Sequence, residues 1–474
     1  MKKISAGAKS AVVYTLSTIF SRGLAIISVP IFTRLMTSEQ IGIVNIYSSW
    51  YSLISVIATL SLISGGFNVA MKEFENERDQ YLSSVLSLTS GISLIISAVL
   101  IAFSGYWTSV LGLSKRMLLL MSIGFLVAPA RDFWLARQRY EYKYKLAGLV
   151  TIVSAIVATA VSIISVYSYS RQKLNNFSVA EVRLLSNYIV IYGVAIVIWI
   201  SIFLKGKTLF KKKYWKLSLS LSLPLVGYQI ASQILSTSDR LMISKLVNDS
   251  AVGIYSTLYT VSSLSLMVWS ALNSSFVPFL FQNINSGNQK IKKISFSMLA
   301  FFSLVAVELV YLAPEIVRFI ATEEYYEAIW IMPPIAAGVY FISVSNLYSN
   351  VLTYLKKTKY IMFSSIIAAV SNIILNYIFI RIYGYMAAAY TTLASYVIMT
   401  ALLMIFAIKT GTKCGVSVAS FYSNKMIVTM SVVTVFLCMI GLPLYNLSLL
   451  RLVLAIILFL SLLVMVLIKQ KKKG

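Results

Sequence analysis

Apolar residues run in long blocks along the whole chain, punctuated by short polar segments rich in lysine and arginine. The blocks occupy residues 10–35, 41–70, 82–104, 116–137, 144–167, 186–204, 217–247, 251–281, 294–313, 328–355, 360–381, 385–408, 424–445 and 448–468. A helix needs about 20 residues to cross the hydrocarbon of a bilayer and a barrel strand roughly ten, so the lengths speak for helices. Lipid offers no partner to backbone N–H and C=O groups, which again leaves helix as the element. The pattern predicts an all-α polytopic membrane protein with about fourteen transmembrane helices. The last block is the plainest, interrupted between 449 and 468 only by Arg451 and Ser461.

Composition narrows what such a protein can do. Of its 474 residues 59% are hydrophobic and 12% charged, at a mean hydropathy of +0.83, against about 25% charged in a soluble domain. The longest polar insert, 168–186, leaves no room for a nucleotide-binding domain. There is also no glycine-rich phosphate loop ending in Gly-Lys-Ser/Thr. Energy for transport must then come from an ion gradient or from the substrate's own gradient. Histidine is absent, which excludes histidine metal sites and histidine bases, and Cys414 and Cys438 suggest no disulfide framework. Neither cofactor nor metal is expected.

The net charge of +26 points to topology rather than to nucleic acid, because the cations sit in alternate loops. One side collects Lys2, Lys3 and Lys9, then Lys72 and Arg78, then Arg137, Arg139, Lys143 and Lys145. The lysines of 205–216, 290–293, 356–359, 409–425 and 469–473 follow on the same side. The positive-inside rule then puts both termini in the cytoplasm. The first apolar block is too long for a signal-peptide core and reads as a retained helix.

An internal repeat is visible. Arg34-Leu35-Met36-Thr37-Ser38-Glu39-Gln40-Ile41-Gly42-Ile43 matches Lys245-Leu246-Val247-Asn248-Asp249-Ser250-Ala251-Val252-Gly253-Ile254 in its basic residue, aliphatic pair, polar trio and Val/Ile-Gly-Ile. A weaker echo joins Arg137-Gln138-Arg139-Tyr140 to Lys357-Thr358-Lys359-Tyr360. Two six-helix units in the same orientation make a parallel repeat. The expected domains are an N-terminal lobe at 1–204, a basic cytoplasmic linker at 205–216 and a C-terminal lobe at 217–408. Two extra helices and a basic tail fill 409–474.

Ionisable residues within the blocks carry the chemistry, since a charge at a helix centre costs about 2.5–3.5 kcal/mol on insertion scales. Arg22 lies midway along the first block, on a helix whose Thr15, Thr18, Ser21 and Ser28 form a polar side. It faces either a water-filled cavity or a buried carboxylate. In Arg131-Asp132 and Asp239-Arg240, helix neighbours point about 100° apart, so each member seeks water or another helix. Glu308 stands alone in its block and either pairs with an arginine or titrates. Asp132, Asp239 and Glu308 are the candidates for ion coupling or pairing, with Glu308 foremost because no basic neighbour shares its segment. Pro30, Pro129, Pro224, Pro278 and the pair Pro333-Pro334 are expected to kink or loosen their helices. Most of the 30 tyrosines, Tyr140, Tyr142, Tyr144, Tyr325 and Tyr326 among them, are expected in the interfacial aromatic belt.

Several of these residues carry a resemblance. Ser21-Arg22-Gly23 with Pro30, the Arg34-Leu35 turn leading to Gly42, Ser238-Asp239-Arg240, Val252-Gly253-Ile254-Tyr255 and Pro278, in this topology, resemble the bacterial polysaccharide flippases. These are the Wzx-type branch of the multidrug/oligosaccharidyl-lipid/polysaccharide (MOP) exporter superfamily. The resemblance implies a V-shaped, two-lobed fold, alternating access and no enzymatic activity. It implies an undecaprenyl-diphosphate-linked oligosaccharide, such as an O-antigen or capsule repeat unit, carried to the outer leaflet of the cytoplasmic membrane. Membrane lipids would be partners, together with a polysaccharide polymerase and a chain-length regulator. Arginine matches phosphate with a fork of donors, so Arg22, Arg131 and Arg240 are the expected contacts to diphosphate or acidic sugar. Alternatives are another lipid-linked precursor (lipid II or a teichoic acid unit), cation-coupled multidrug export and, less in keeping with the short loops, a membrane glycosyltransferase or polymerase.

Overall fold

The computed structural model describes residues 6–172, 176–284 and 289–471, without the side chains of 6–12, 15, 64–65 and 461–471. Lys2, Lys3, the side chains of Lys9 and Thr15, and the cations of the C-terminal tail therefore lie outside the described residues. All fourteen apolar blocks are helical, in two compact units, Met1–Thr237 and Ser238–Gly474.

The first unit contains α1 (Ala6–Leu35), α2 (Ser38–Thr59), α3 (Leu62–Gly65), α4 (Phe67–Glu73), α5 (Arg78–Ala102), α6 (Ser104–Leu111), α7 (Lys115–Tyr140), α8 (Tyr144–Gln172) and α9 (Val179–Gly206). It also holds most of α10 (Lys212–Leu246). Local signals set the helix starts. Thr37 caps α2 reciprocally with Gln40, and Ser178 caps α9 with Glu181, each satisfying two backbone donors at once. The block at 41–70 is not one helix: Leu60 and Ser61 both adopt left-handed φ angles, 47° and 51°, which part α2 from α3, and Gly66 parts α3 from α4. The expected linker at 205–216 shrinks to the residues between Gly206 and Lys212, because α9 and α10 both run into it.

The second unit begins in the last turns of α10. It continues with α11 (Asp249–Ser262), α12 (Ser265–Asn283), α13 (Gln289–Tyr311), α14 (Ala313–Ile320), a 3-10 stretch (Glu323–Ile331), α15 (Met332–Tyr354), α16 (Lys359–Tyr383), α17 (Ala387–Lys413), α18 (Val418–Phe421), α19 (Asn424–Leu444) and α20 (Ser448–Lys471). The block at 251–281 bends by 42° between α11 and α12, at Ser263-Leu264. Pro333 and Pro334 do not break a helix. They occupy the first turn of α15, where a missing N–H leaves nothing unsatisfied.

Eleven described helical stretches are long and apolar enough to span a membrane, and the bent α11–α12 pair makes twelve. Lysines and serines keep α10 below that standard, and the described part of α20 is short, Ser448–Leu460. The repeat recurs as local structure. Asn248 caps α11 as Thr37 caps α2, 211 residues earlier. The second echo falls out of register. The matching turns centre on the left-handed Tyr142 and Lys356, 214 residues apart, so the basic residues of the two echoes are not equivalent.

Of the five tyrosines named for the belt, Tyr140, Tyr142, Tyr144 and Tyr326 keep surface exposure and Tyr325 does not. Tyr47, Tyr81, Tyr214, Tyr255, Tyr325, Tyr340, Tyr348 and Tyr422 are fully buried. A phenol ring can fill a core while its hydroxyl finds a helix-borne partner, as Tyr81 does with Ser218 at 3.0 Å.

Candidate functional site

Two constellations stand out, one in each unit. In the first, α2, the α2–α3 break, α7 and α10 enclose a cavity of about 340 Å³. Asp132 and Arg139 supply charge to its wall, Ser55, Thr59 and Gln229 supply hydrogen-bonding groups, and Tyr51 and Phe125 form an aromatic face. These two rings stack at 5.1 Å. Behind them Tyr47, Tyr188 and Tyr192 continue the aromatic packing, with centroids 5.0–6.2 Å apart. The left-handed Ser61 lines the same cavity. An L-residue pays about 1–2 kcal/mol for that conformation, so the strain that splits the second block sits at the cavity wall.

Gly124 lets this wall exist. A Cβ there would lie 2.1 Å from the Tyr192 hydroxyl and 2.8 Å from the Tyr51 ring. Gly124→Ala is expected to displace both tyrosines and destabilise the protein by about 1–3 kcal/mol, as overpacking does. Thermal unfolding in detergent measures the loss, and an unchanged midpoint would show that the wall yields freely.

The arginines separate. Arg22 is exposed on α1, and no hydrogen bond or ion pair joins it to any described residue. No carboxylate among the described residues therefore meets its charge. Arg131 turns to α8, where Nη2 makes a long 3.5 Å hydrogen bond to Ser154, while its buried Nε has no partner. Its neighbour Asp132 faces the cavity. Arg139, read from the sequence as a loop cation, also lines that cavity.

In the second unit, Asp239 is buried, with 2% of its surface exposed. Its Oδ2 accepts hydrogen bonds from Tyr255 (2.8 Å) and Thr392 (2.7 Å), and its Oδ1 from Asn376 Nδ2 (2.7 Å). Asn372 Oδ1 accepts from Ser238 (2.7 Å) and from Asn376 (3.1 Å), and Thr391 donates to Asn376 Oδ1. Four helices, α10, α11, α16 and α17, thus converge on one carboxylate. No cationic group lies within ion-pair distance of Asp239 among the described residues, although buried charges are ordinarily paired. Arg240 points elsewhere: Nε donates to Ser256 (3.2 Å) and the guanidinium lies 4.8 Å from the Tyr259 ring centre.

Asn372, Asn376, Thr391 and Thr392 were not singled out from the sequence. The available signal was Asn372 and Asn376, four residues apart in an otherwise apolar helix, since such spacing puts two amides on one face. Glu308, on α13, is half-buried and its Oε2 has no hydrogen-bond partner. No described group of three or more Cys, Asp or Glu could hold a metal ion.

Fold comparison gives the class. The structure superposes on the lipid II flippase MurJ in an inward closed conformation with a TM-score of 0.69, at 18% identity over 95% of this chain and 98% of that one. An inward-facing multidrug resistance MATE transporter of the MOP superfamily scores 0.60, at 13% identity over 84% and 95%. A MOP superfamily transporter from Pyrococcus furiosus, described as having a binding pocket of reverse polarity, scores 0.56, at 13% identity over 84% and 95%. With its two helical units, the protein is a multi-pass membrane protein that shares the fold of these transporters. The family model described as "Polysaccharide biosynthesis protein" matches residues 8–284, and the MatE model matches 224–378. The chain belongs to the polysaccharide biosynthesis protein family. No curated protein gives a significant sequence match.

Proposed function

We propose that this transporter flips undecaprenyl-diphosphate-linked oligosaccharide repeat units across a bacterial cytoplasmic membrane by alternating access, for assembly of a surface polysaccharide such as O-antigen or capsule. Its termini would lie in the cytoplasm, on the lysine-rich side of the helices. A polymerase and a chain-length regulator would act on the product.

The observation that carries the reading is the polar-aromatic cavity of the first unit. An aromatic face flanked by hydroxyls, an amide, a carboxylate and a guanidinium has the chemistry of sugar recognition. Apolar C–H faces of a pyranose pack on Tyr51, and its hydroxyls bond to Ser55, Thr59, Gln229 and Asp132. Arg22, without a partner among the described residues, is assigned to the diphosphate, which it can grip bidentately. Arg131 and Arg240 are assigned supporting contacts to phosphate or acidic sugar. Asp239 is assigned to coupling, because its carboxylate, amide and hydroxyl oxygens suit a proton or a hard monovalent cation. The family's description favours a polysaccharide unit, while the likeness to MurJ supports a lipid-linked precursor in general.

The test is flipping of a fluorescent lipid-diphosphate oligosaccharide in proteoliposomes. Arg22→Ala is expected to insert normally and to lose most activity, with Arg22→Lys intermediate because charge survives and the fork does not. Tyr51→Leu is expected to lower the rate roughly two- to thirteenfold, the value of about 0.5–1.5 kcal/mol of ring contact, and Tyr51→Phe to keep it. Normal flipping by Arg22→Ala and Tyr51→Leu would remove both residues from the substrate path.

A further inference from the structure

The connector between α9 and α10 has an architecture that charge topology alone does not require. Its backbone is held from both sides. Ser83 Oγ donates to the Thr208 carbonyl at 2.7 Å and accepts from the Thr208 amide at 3.1 Å. Gly206 packs so tightly on α5 that a Cβ would fall 2.2 Å from the Asp79 carbonyl. Glu77 gathers Lys211 (3.1 Å), Lys213 (2.7 Å) and the Tyr214 hydroxyl, and Trp215 Nε1 donates to the Ser84 carbonyl at 2.9 Å.

This scaffold holds two apolar side chains outward. Leu209 is 65% exposed and Phe210 62%, with the Phe210 ring edge-on to Trp215 at 4.7 Å. Around them Lys205, Lys207, Lys212 and Lys216 are all exposed, and none has a carboxylate within 4 Å among the described residues. A positive-inside loop needs only its lysines. A rigid Leu-Phe tip set among four unpaired lysines has a second use, because apolar tips enter the headgroup boundary while basic residues pair with anionic lipid.

We propose that this connector is a membrane-surface contact for anionic phospholipid. Leu209 and Phe210 insert between the headgroups of the adjoining leaflet, and the four free lysines hold the phosphates around them. The Glu77 and Ser83 contacts keep the tip in its inserting conformation, so binding orders little further chain.

The probe is the full-length protein with Cys414→Ser, Cys438→Ala and Leu209→Cys, labelled with an environment-sensitive nitrobenzoxadiazole dye. It is placed in nanodiscs of phosphatidylcholine alone or mixed with phosphatidylglycerol. In the anionic discs the dye is expected to blue-shift and to be quenched by lipids brominated near the headgroup. Each lysine replaced by glutamine should weaken the inserted state about fivefold. High salt should do the same in the unsubstituted protein, since the screening length falls from about 10 Å at 0.1 M to about 3 Å at 1 M. A water-exposed dye in both disc types would overturn the proposal. Insertion that ignores both lipid charge and salt would overturn the headgroup recognition.

Discussion

Asp239→Asn is expected to reduce gradient-driven transport by roughly 5- to 150-fold, the range that a coupling free energy of 1–3 kcal/mol spans, while the protein still inserts. The substitution keeps the size of the side chain and removes its charge. Asp239→Ala should do worse, because Tyr255, Asn376 and Thr392 would all lose their acceptor, at about 1–3 kcal/mol per buried group left unsatisfied. The discriminating measurement is thermal stability. If Asp239 exchanges a cation, sodium or a lowered pH should stabilise the unsubstituted protein, and Asp239→Asn should not respond. Glu308→Gln is the companion variant, expected to slow turnover without blocking substrate binding if its proton is used. A normal flipping rate in either variant, with the gradient intact and with it collapsed, would return that carboxylate to a structural role.

The second large effect is expected at the C-terminal helix. Arg451, near the start of α20, is buried at 2% exposure and pairs bidentately with Glu315 on α14, at 2.5 and 2.6 Å. It also donates to the Tyr311 carbonyl. Glu315 is itself 42% exposed, so its loss falls short of the ~3–5 kcal/mol of a fully buried pair. Glu315→Ala, which leaves the buried guanidinium without its carboxylate, should destabilise the second unit by about 1–3 kcal/mol. The double variant Glu315→Ala/Arg451→Met should recover most of the loss, since an apolar side chain carries no charge to bury. An equally unstable double variant would mean that packing of the arginine stem, not charge, holds α20.

The same pair sets a pH dependence. The Arg451 hydrogen bonds outweigh partial burial and hold the Glu315 carboxyl below its ordinary 4.5. A depressed native value contributes stability that is fully present above the unfolded value and fades as pH falls through the native one. Thermal midpoints should therefore drop below about pH 4.5 and do so less steeply in the double variant.

The boundary between legible and illegible can be drawn at particular residues. Arg22 was recognisable as an outlier because a charge in mid-helix is costly in any lipid-facing setting. The α1–α2 and α10–α11 turns were legible as a repeat because capping needs specific side chains at specific positions, Thr37 and Asn248. The 41–70 block reads as continuous by hydropathy although it breaks twice, at Leu60-Ser61, which offer no glycine or proline, and at Gly66, where the Gly65-Gly66 pair was the available signal. The left-handed backbone at Leu60 and Ser61 is one that no local preference announces.

What the sequence determined by itself was everything governed by solvent: helix as the element, fourteen apolar blocks, the expected side for the lysines and the expense of the charges within. Those follow from hydropathy and chain length, which are local sums over neighbouring residues. Only the tertiary structure decided that Asp239 meets Asn376 and Thr392, 137 and 153 residues further on, and that Tyr51 stacks on Phe125 beside Asp132. It also decided which tyrosines, Tyr81 and Tyr255 among them, are buried in the core. A polar side chain on an apolar helix must find a partner, but which one depends on how helices pack, and that is a property of pairs far apart in the chain.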